Sequence, residues 1–524
     1  MSKNIALTVE VNEKLHTFVE RHRKRRVLCR GGFSNTYYIM DRNLSALEPA
    51  LVWKHFAEIA RIPRPSHHEA AIRKYIVDFA EAHGLEHCVD EADNVYVRKP
   101  ATAGMENRKG IILQAHLDMV PQKNNDKTFD FEKDPIDAYV DGEWVTADGT
   151  TLGADNGIGV ASALAVLEDD TIEHGDIEAL FTATEETGMD GAFGLKAGLL
   201  RGDILLNLDS ETEGELYVGC AGGLDANIEL PYAAEPTPAT GYKAYKIEVK
   251  GLKGGHSGIQ IGYQRANANR LLFRFLLHTD VPTLLCSVDG GGLRNAIPRE
   301  AVATVLVGES DAARFEKEVA GFCTTVNAEF DGIEDAISVT AAAADAPAKM
   351  IPAETAAKLA KAVVGAPNGV VKMSTEMEGL VQTSTNLARV VSDGGCVKIQ
   401  CLLRSSVNSE KHALGEAIRG VFELAGANVA LEGDYDGWKP NMSSPILHAM
   451  LASYEALFGT KPAVTAIHAG LECGIIGGTY PNLDMISFGP TICYPHSPDE
   501  KVNIASVGKF YRFLLHTLKN APSK

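Results

Sequence analysis

Hard-to-bury polar groups recur in apolar or glycine-rich surroundings along this chain: His116 in "GIILQAHLDMV", Asp155 in "LGADNGIG", Glu185 and Glu186 in "EALFTATEETGMDG", Asp209 in "DILLNLDSE", and His496 in "GPTICYPHSPDE". Neutral imidazoles and ionised carboxylates are ordinary zinc ligands, and catalytic zinc keeps a position open for water. Such a set, at the ends of predicted strands, suits a two-zinc hydrolytic centre. Each residue alone has a plainer explanation. Asp155, before Asn156-Gly157, reads as a helix N-cap. A lone pair of Glu reads as a solvated loop, and a strand-end Asp209 as a group that reaches solvent. His116 and Asp118 share a face if their strand continues, and the carboxylate then orients the imidazole or its neighbours. Adjacent Glu185 and Glu186 on a turn can point into one cavity, one ligating while the other takes a proton from water. The coincidence of all these segments carries the reading.

The elements that must position these groups alternate. "EPALVWKHFAEIARI" and "EAAIRKYIVDFAEAHG" have helical spacing, the second stopping at Gly84. "NVYVRK", "GIILQAHLD", "IEALFTATEE" and "DILLNLD" read as strands, with helices over "NGIGVASALAVLEDD" and "DGAFGLKAGLL". Strand and helix alternation predicts an α/β sheet with helices on both faces. Ligands in such sheets gather beyond the carboxyl ends of the strands, where three of the candidate segments fall. After Cys220-Ala221-Gly222-Gly223 the order becomes α+β. Strands are expected at "YKAYKIEVKG", "AVATVLV", "ISVTAAA" and "CVKIQCLLRS", and helices at "QRANANRLLFRFLLH", Ala312–Val326 and Ala353–Val364. Near Gly433 the chain returns, with "SPILHAMLASYEALFG" helical and "LDMISFGP" a strand before His496. For His496 to meet Asp209, the first domain has to be discontinuous. The expected division is an extension over 1–39, a catalytic domain over 40–222 and 434–524, and an inserted lid over 223–433.

At 524 residues the chain is too long for one core, and 45% hydrophobic with 23% charged residues is a globular profile. A net charge of −19 argues against nucleic acid and anionic membranes as partners. Nine scattered cysteines without a CxxC pair read as reduced thiols of a cytoplasmic protein. No apolar run reaches the roughly 18 residues of a membrane span. The basic cluster "ERHRKRR" would suit a mitochondrial transit peptide, but Glu10, Glu13 and Glu20 oppose that. A solvated, dispensable extension is the expectation, with a fresh start at Met40.

The segments "ATAGMENRKGIILQAHLDMVPQKN", "GTTLGADNGIGVASALAVL", "EETGMDGAFGL", "GLKGGHSG", "LRNAIPREA", "HAGLECG" and "GPTICYPHSPDE" resemble the bacterial aminoacyl-histidine dipeptidases, or cytosol non-specific dipeptidases. These sit in the di-zinc family of carnosinases, aminoacylases and desuccinylases. The resemblance runs from about Leu44 to the C-terminus and is least distinct over Asp311–Val390. It implies an α/β di-zinc exopeptidase domain, its mixed sheet flanked by helices, with an inserted α+β lid.

It also implies roles. His116 and Asp209 would hold one zinc and Glu186 and His496 the other, bridged by Asp155, whose bond to Asn156 would be cis. Glu185 would be the general base and Asp118 would orient His116. From the lid, His256 of "GGHSG" would stabilise the oxyanion. Asn295 would hold substrate, and Arg404 its C-terminal carboxylate. Glu472 would receive the α-amino group, an expectation from charge and location. The bland alternatives are a turn His, a turn Asn, a surface Arg and a satisfied loop Glu. The expected activity is hydrolysis of unblocked dipeptides, including Xaa-His, with two zinc ions per subunit and cobalt or manganese as substitutes. A homodimer through the lid is the expected assembly, with His256 acting within its subunit or across the dimer. The alternative is an N-acyl amino acid amidohydrolase on the same centre. A non-catalytic binding protein is disfavoured by the complete ligand set, and a structural zinc site by its lack of Cys.

Overall fold

The computed structural model describes residues 43–524; the extension over 1–39 and the start at Met40 lie outside the described residues. One mixed sheet runs in the order Glu86–Val89, Val95–Lys99, Ile177–Thr182, Ile111–His116, Ile204–Asn207, Asp484–Ser487, Glu215–Cys220, Ala463–Ile467. Its centre is parallel: Ile111–His116 pairs in parallel with Ile177–Thr182 and Ile204–Asn207, which pairs in parallel with Asp484–Ser487. Parallel strands are buried on both faces, hence their unbroken apolar runs. On one face Phe56, Ile72, Leu113, Ile158, Phe181, Leu206 and Leu514 form a core. On the other Tyr96, Ile112, Leu180, Leu205, Trp438 and Ile476 form a second. Helix Ala154–Glu168 is buried along nearly its whole length, which its small residues permit.

The strand from Ile111 stops at His116 instead of continuing through Asp118. The Met119 amide turns away to donate to the Arg64 carbonyl, so Asp118 approaches His116 from a loop.

A second sheet is antiparallel, in the order Ser338–Ala343, Tyr242–Lys250, Ala301–Gly308, Thr283–Gly291, Val381–Asp393, Cys396–Ser405, Gly222–Pro231, Asn428–Tyr435. Helices Ala268–His278, Ala312–Glu329, Ala353–Gly365 and Asn408–Leu424 accompany it. Phe273, Phe315, Leu359 and Phe422 pack with Leu224, Val305 and Leu403 into its core. Side chains alternate across a strand, so Arg404, next to Leu403, faces the opposite way. Asp225 pairs with Leu402 in register and shares that outer face. The fold is thus a mixed α/β sheet flanked by helices, joined to an α+β unit. Among the described residues no helix is long and apolar enough to cross a membrane.

Candidate metal centre

The carboxyl ends of the parallel strands bring the candidate residues together. His116 ends its own strand; Glu185 and Glu186 open a short helix just after Thr182, and Asp209 follows Asn207. His116 Nε2 lies 3.2 Å from Asp155 Oδ1 and 3.4 Å from Asp209 Oδ1. His496 Nε2 lies 3.4 Å from Asp155 Oδ2 and 2.9 Å from Glu186 Oε2. Asp155 therefore serves two donor sets, His116–Asp155–Asp209 and Asp155–Glu186–His496, each close enough to hold one ion. His116, Glu185 and Glu186 form a further close group. The Asp155–Asn156 peptide is cis, as the resemblance implies.

Asp118 fastens this arrangement. Its carboxylate meets His116 Nδ1 at 3.2 Å and accepts from Ser66 Oγ at 2.7 Å. The amides of Glu185 and Glu186 donate to it at 3.0 and 3.2 Å. Since a carboxylate only accepts, Nδ1 donates to Asp118, and Nε2, facing Asp155 and Asp209, is the atom that would ligate an ion in place of its own proton. Burial opposes ionisation of Asp118, but His116, Ser66 and the Glu185 amide bring it down to about 2.

The charges of the cluster are strained. Burial works against a charged His116, yet Asp209, Asp118 and Asp155 raise it well above the ordinary range. Hydrogen bonds to Asp155 and Glu186 push His496 up to about 11. Burial raises Asp209 to about 6. Burial, with Asp209, Glu472 and Glu186 nearby, also lifts Glu185 well above the carboxylate range. Glu186 Oε1 and Asp209 Oδ1 are buried and make no hydrogen bond. Carboxylates packed this tightly around two imidazoles, with uncommitted oxygens, fit dications.

The other candidates make none of these contacts, although Glu472 lies close enough to Glu185 to raise it. His256 pairs in register with Ala296, and Asn295, exposed, takes the Ser257 amide on its carbonyl. His256 Nδ1 accepts from the amides of Gly258 and Ile259 at 3.2 and 3.1 Å, so its proton sits on Nε2. Burial and Arg404 lower its pKa, keeping the ring a neutral donor. Arg404 is buried; one terminal nitrogen donates to Tyr435 Oη at 3.3 Å, while Nε has no partner. Glu472 is buried with Oε2 accepting from Gln114 at 2.6 Å and Thr182 at 2.9 Å, and Oε1 without a partner.

Several residues that sequence reasoning passed over hold the loops. Buried Arg64 donates to the carbonyls of Leu117, Asp118 and Gly153. Glu69 accepts from the Thr184 amide and hydroxyl. Buried Glu500 accepts from consecutive amides, Leu152 through Asp155. Burial raises its carboxyl to about 7 against the pull of those amides. His468, buried, shares a 2.7 Å hydrogen bond with Ser384 Oγ. The only sequence signal was the place of Glu500 in the "PHSPDE" segment, four residues beyond His496.

Peptidase family M20/M25/M40 matches residues 112–520. The cytosol non-specific dipeptidase of Escherichia coli K12 is 47% identical over 483 residues, covering 92% of this chain and 99% of that protein. The crystal structure of aminoacylhistidine dipeptidase from Vibrio alginolyticus superposes with a TM-score of 0.89 at 46% identity, covering 92% of this chain and 98% of that one. Aminopeptidase PepT from Bacillus cereus shares the fold at a TM-score of 0.53 and 16% identity, covering 90% of this chain and 99% of that one.

Proposed function

The chain belongs to peptidase family M20/M25/M40, and from that premise we propose that it is a two-metal dipeptidase cleaving unblocked dipeptides, Xaa-His among them. The sharing of Asp155 between two His–carboxylate sets, beside Glu185, carries this reading. His116, Asp155 and Asp209 would hold one ion, and Asp155, Glu186 and His496 the other. Zinc is the default for such donors, with cobalt or manganese as substitutes. Bound there, the pair supplies an acidified water and polarises the scissile carbonyl.

The rest is the work of this chain's own residues. Glu185, its carboxyl held high by burial, takes a proton from water and delivers it to the leaving amine. Asp118 keeps the His116 ring in place and in one tautomer. His256 donates from Nε2 to the carbonyl oxygen as its charge grows. Arg404, with its Nε uncommitted, takes the substrate's C-terminal carboxylate, and Asn295, in the turn just before the strand paired with His256, helps to hold the substrate. Glu472 Oε1, also uncommitted, answers the α-amino group. The segments 40–222 and 434–524 act as the catalytic domain. The segment 223–433, which carries all of the second sheet except Gly222 and the last two residues of Asn428–Tyr435, acts as the lid that excludes water. The setting is the cytoplasm, in keeping with the free thiols of the described cysteines. The assembly is a homodimer through the lid, which light scattering tests by mass.

Dipeptide and N-acetyl amino acid hydrolysis by the wild type and by Glu185→Gln, with metal content, tests the function. The expected result is about two metal ions in both proteins and dipeptide cleavage by the wild type alone. Equal activity of both removes Glu185 as the base. Cleavage of N-acyl substrates only would make the chain an amidohydrolase on the same centre.

A further inference from the structure

We propose that Glu500 is a positioning residue of the metal centre, holding the Leu152–Asp155 segment where Asp155 can serve both donor sets. The inference rests on the two-metal reading above. Both carboxylate oxygens are engaged twice. Oε2 accepts from the amides of Leu152 at 2.7 Å and Gly153 at 2.9 Å, and Oε1 from those of Ala154 at 2.8 Å and Asp155 at 3.2 Å.

Ala154 and Asp155 open helix Ala154–Glu168, Gly153 is its N-cap and Leu152 leads into it, and the first N–H groups of a helix have no partner within it. The backbone there is irregular as well: Gly153 has φ +71, and Asp155 and Asn156 depart from helical angles. With left-handed Gly153 on one side of Ala154 and non-helical Asp155 on the other, the four amides turn towards one buried carboxylate, as successive N–H groups in such turns do towards an anion. Glu500 is only 2% exposed, so water does not take its place.

The same short segment carries His496, which contacts both Asp155 and Glu186. It therefore supplies a ligand to one donor set and, four residues on, the clamp on the residue shared by both. Glu500 is anchored in turn. Thr146 Oγ1 donates to its carbonyl at 2.7 Å. The next residue, Lys501, pairs with Thr146 where strand Lys501–Asn503 runs antiparallel to Trp144–Ala147, and its Nζ lies 4.5 Å from the Trp144 ring.

A glutamine at this position keeps the shape but turns an NH2 group towards two amide donors, so at least two hydrogen bonds are lost. The effect then falls on the placement of Asp155, whereas Arg404 and His256 have separate partners.

The test compares wild type, Glu500→Gln and Glu500→Asp in zinc competition against a chromophoric chelator, with kcat and KM measured separately. Glu178→Gln is the structural control. Glu178 is also buried and accepts from the amides of Arg201 and Gly202, but at the opposite end of the sheet. The expected result is a zinc affinity about 10–100-fold weaker in Glu500→Gln. Turnover should fall in parallel, with KM within a factor of about 3 and no zinc effect in Glu178→Gln. The Co(II) absorption spectrum of Glu500→Gln should also differ from wild type, which a merely structural role would not produce. Zinc affinity and kcat like the wild type, or shifted no further than in Glu178→Gln, overturn the proposal. If Glu500→Gln does not accumulate as folded protein, the same readouts on Glu500→Asp decide. A wild type that binds no zinc overturns the two-metal reading along with it; a wild type and Glu500→Gln that bind zinc alike overturn this inference alone.

Discussion

Asp118, at the end of the first sheet, is met by an imidazole, a hydroxyl and two amides. Arg404, on the outer face of the second, is nearly as buried, yet its one described hydrogen bond goes to Tyr435 and its Nε has no partner. The contrast runs through both regions. Around the first sheet Arg64, Glu69 and Glu500 tie the ligand-bearing loops to one another through backbone atoms. In the two-strand pairing Gly255–His256 with Ala296–Ile297, apart from that second sheet, His256 keeps Nδ1 for its own loop and nearby Asn295 lies exposed. A preorganised centre costs little reorganisation when charge develops, whereas a buried cation without a full partner set is built to receive one from outside. In the reading proposed above, the metal donors gather at the first region, and Arg404 of the second is left open to a carboxylate from outside.

The largest effect is expected of Asp155→Ala. Removing the carboxylate common to both donor sets should abolish both metal uptake and turnover, read by metal analysis and dipeptide hydrolysis; an active, metal-replete variant would show that Asp155 does not join the two donor sets.

Arg404→Ala comes next. Hydrogen bonds to a charged group account for about 1.5–3 kcal/mol, so kcat/KM for dipeptides should fall roughly 10–100-fold. Metal content should stay as in the wild type. Dipeptide amides, lacking the terminal carboxylate, should lose much less. An equal loss on both substrates would remove Arg404 from carboxylate recognition.

Asp118→Asn should weaken zinc binding, and activity with it, by about 10-fold, because the amide is a poorer acceptor for His116 and the loop amides. Restoration of activity by excess zinc measures how much of the loss is occupancy.

The smallest effect is on stability. Burial, with Arg404 and His256 adjacent, pushes His468 down from 6.5 to about 3. The unfolded chain binds a proton there that the folded protein refuses, so unfolding gains as pH falls. This contribution is complete above pH 6.5 and is lost progressively towards pH 3. The unfolding temperature should drop between about pH 7 and pH 5, and drop less in His468→Gln. Equal slopes in the two proteins would show that His468 does not set the acid sensitivity.

Much of this molecule was legible in the residues themselves. His116, Asp155, Glu186, Asp209 and His496 stood out because a polar group ending an apolar run needs a reason to be there. The alternating helices and strands around them followed from periodicity. The strands Thr283–Gly291 and Val381–Asp393 were not foreseen; they are ordinary sheet segments without a motif to flag them.

Other features were decided in three dimensions. Asp118 reaches His116 from a loop because the Met119 amide finds Arg64, a residue 55 positions away in sequence. Glu500 finds its partners 345 to 348 residues earlier, and they are backbone amides. Every non-proline residue carries such an amide, so no residue type announces which one a carboxylate will meet. The sequence determined which side chains could bind metal and move protons. The bridging place of Asp155 was implied by the resemblance, but the contacts that hold it there, the four amides on Glu500 among them, are set in three dimensions, because they depend on where distant loops leave their backbones.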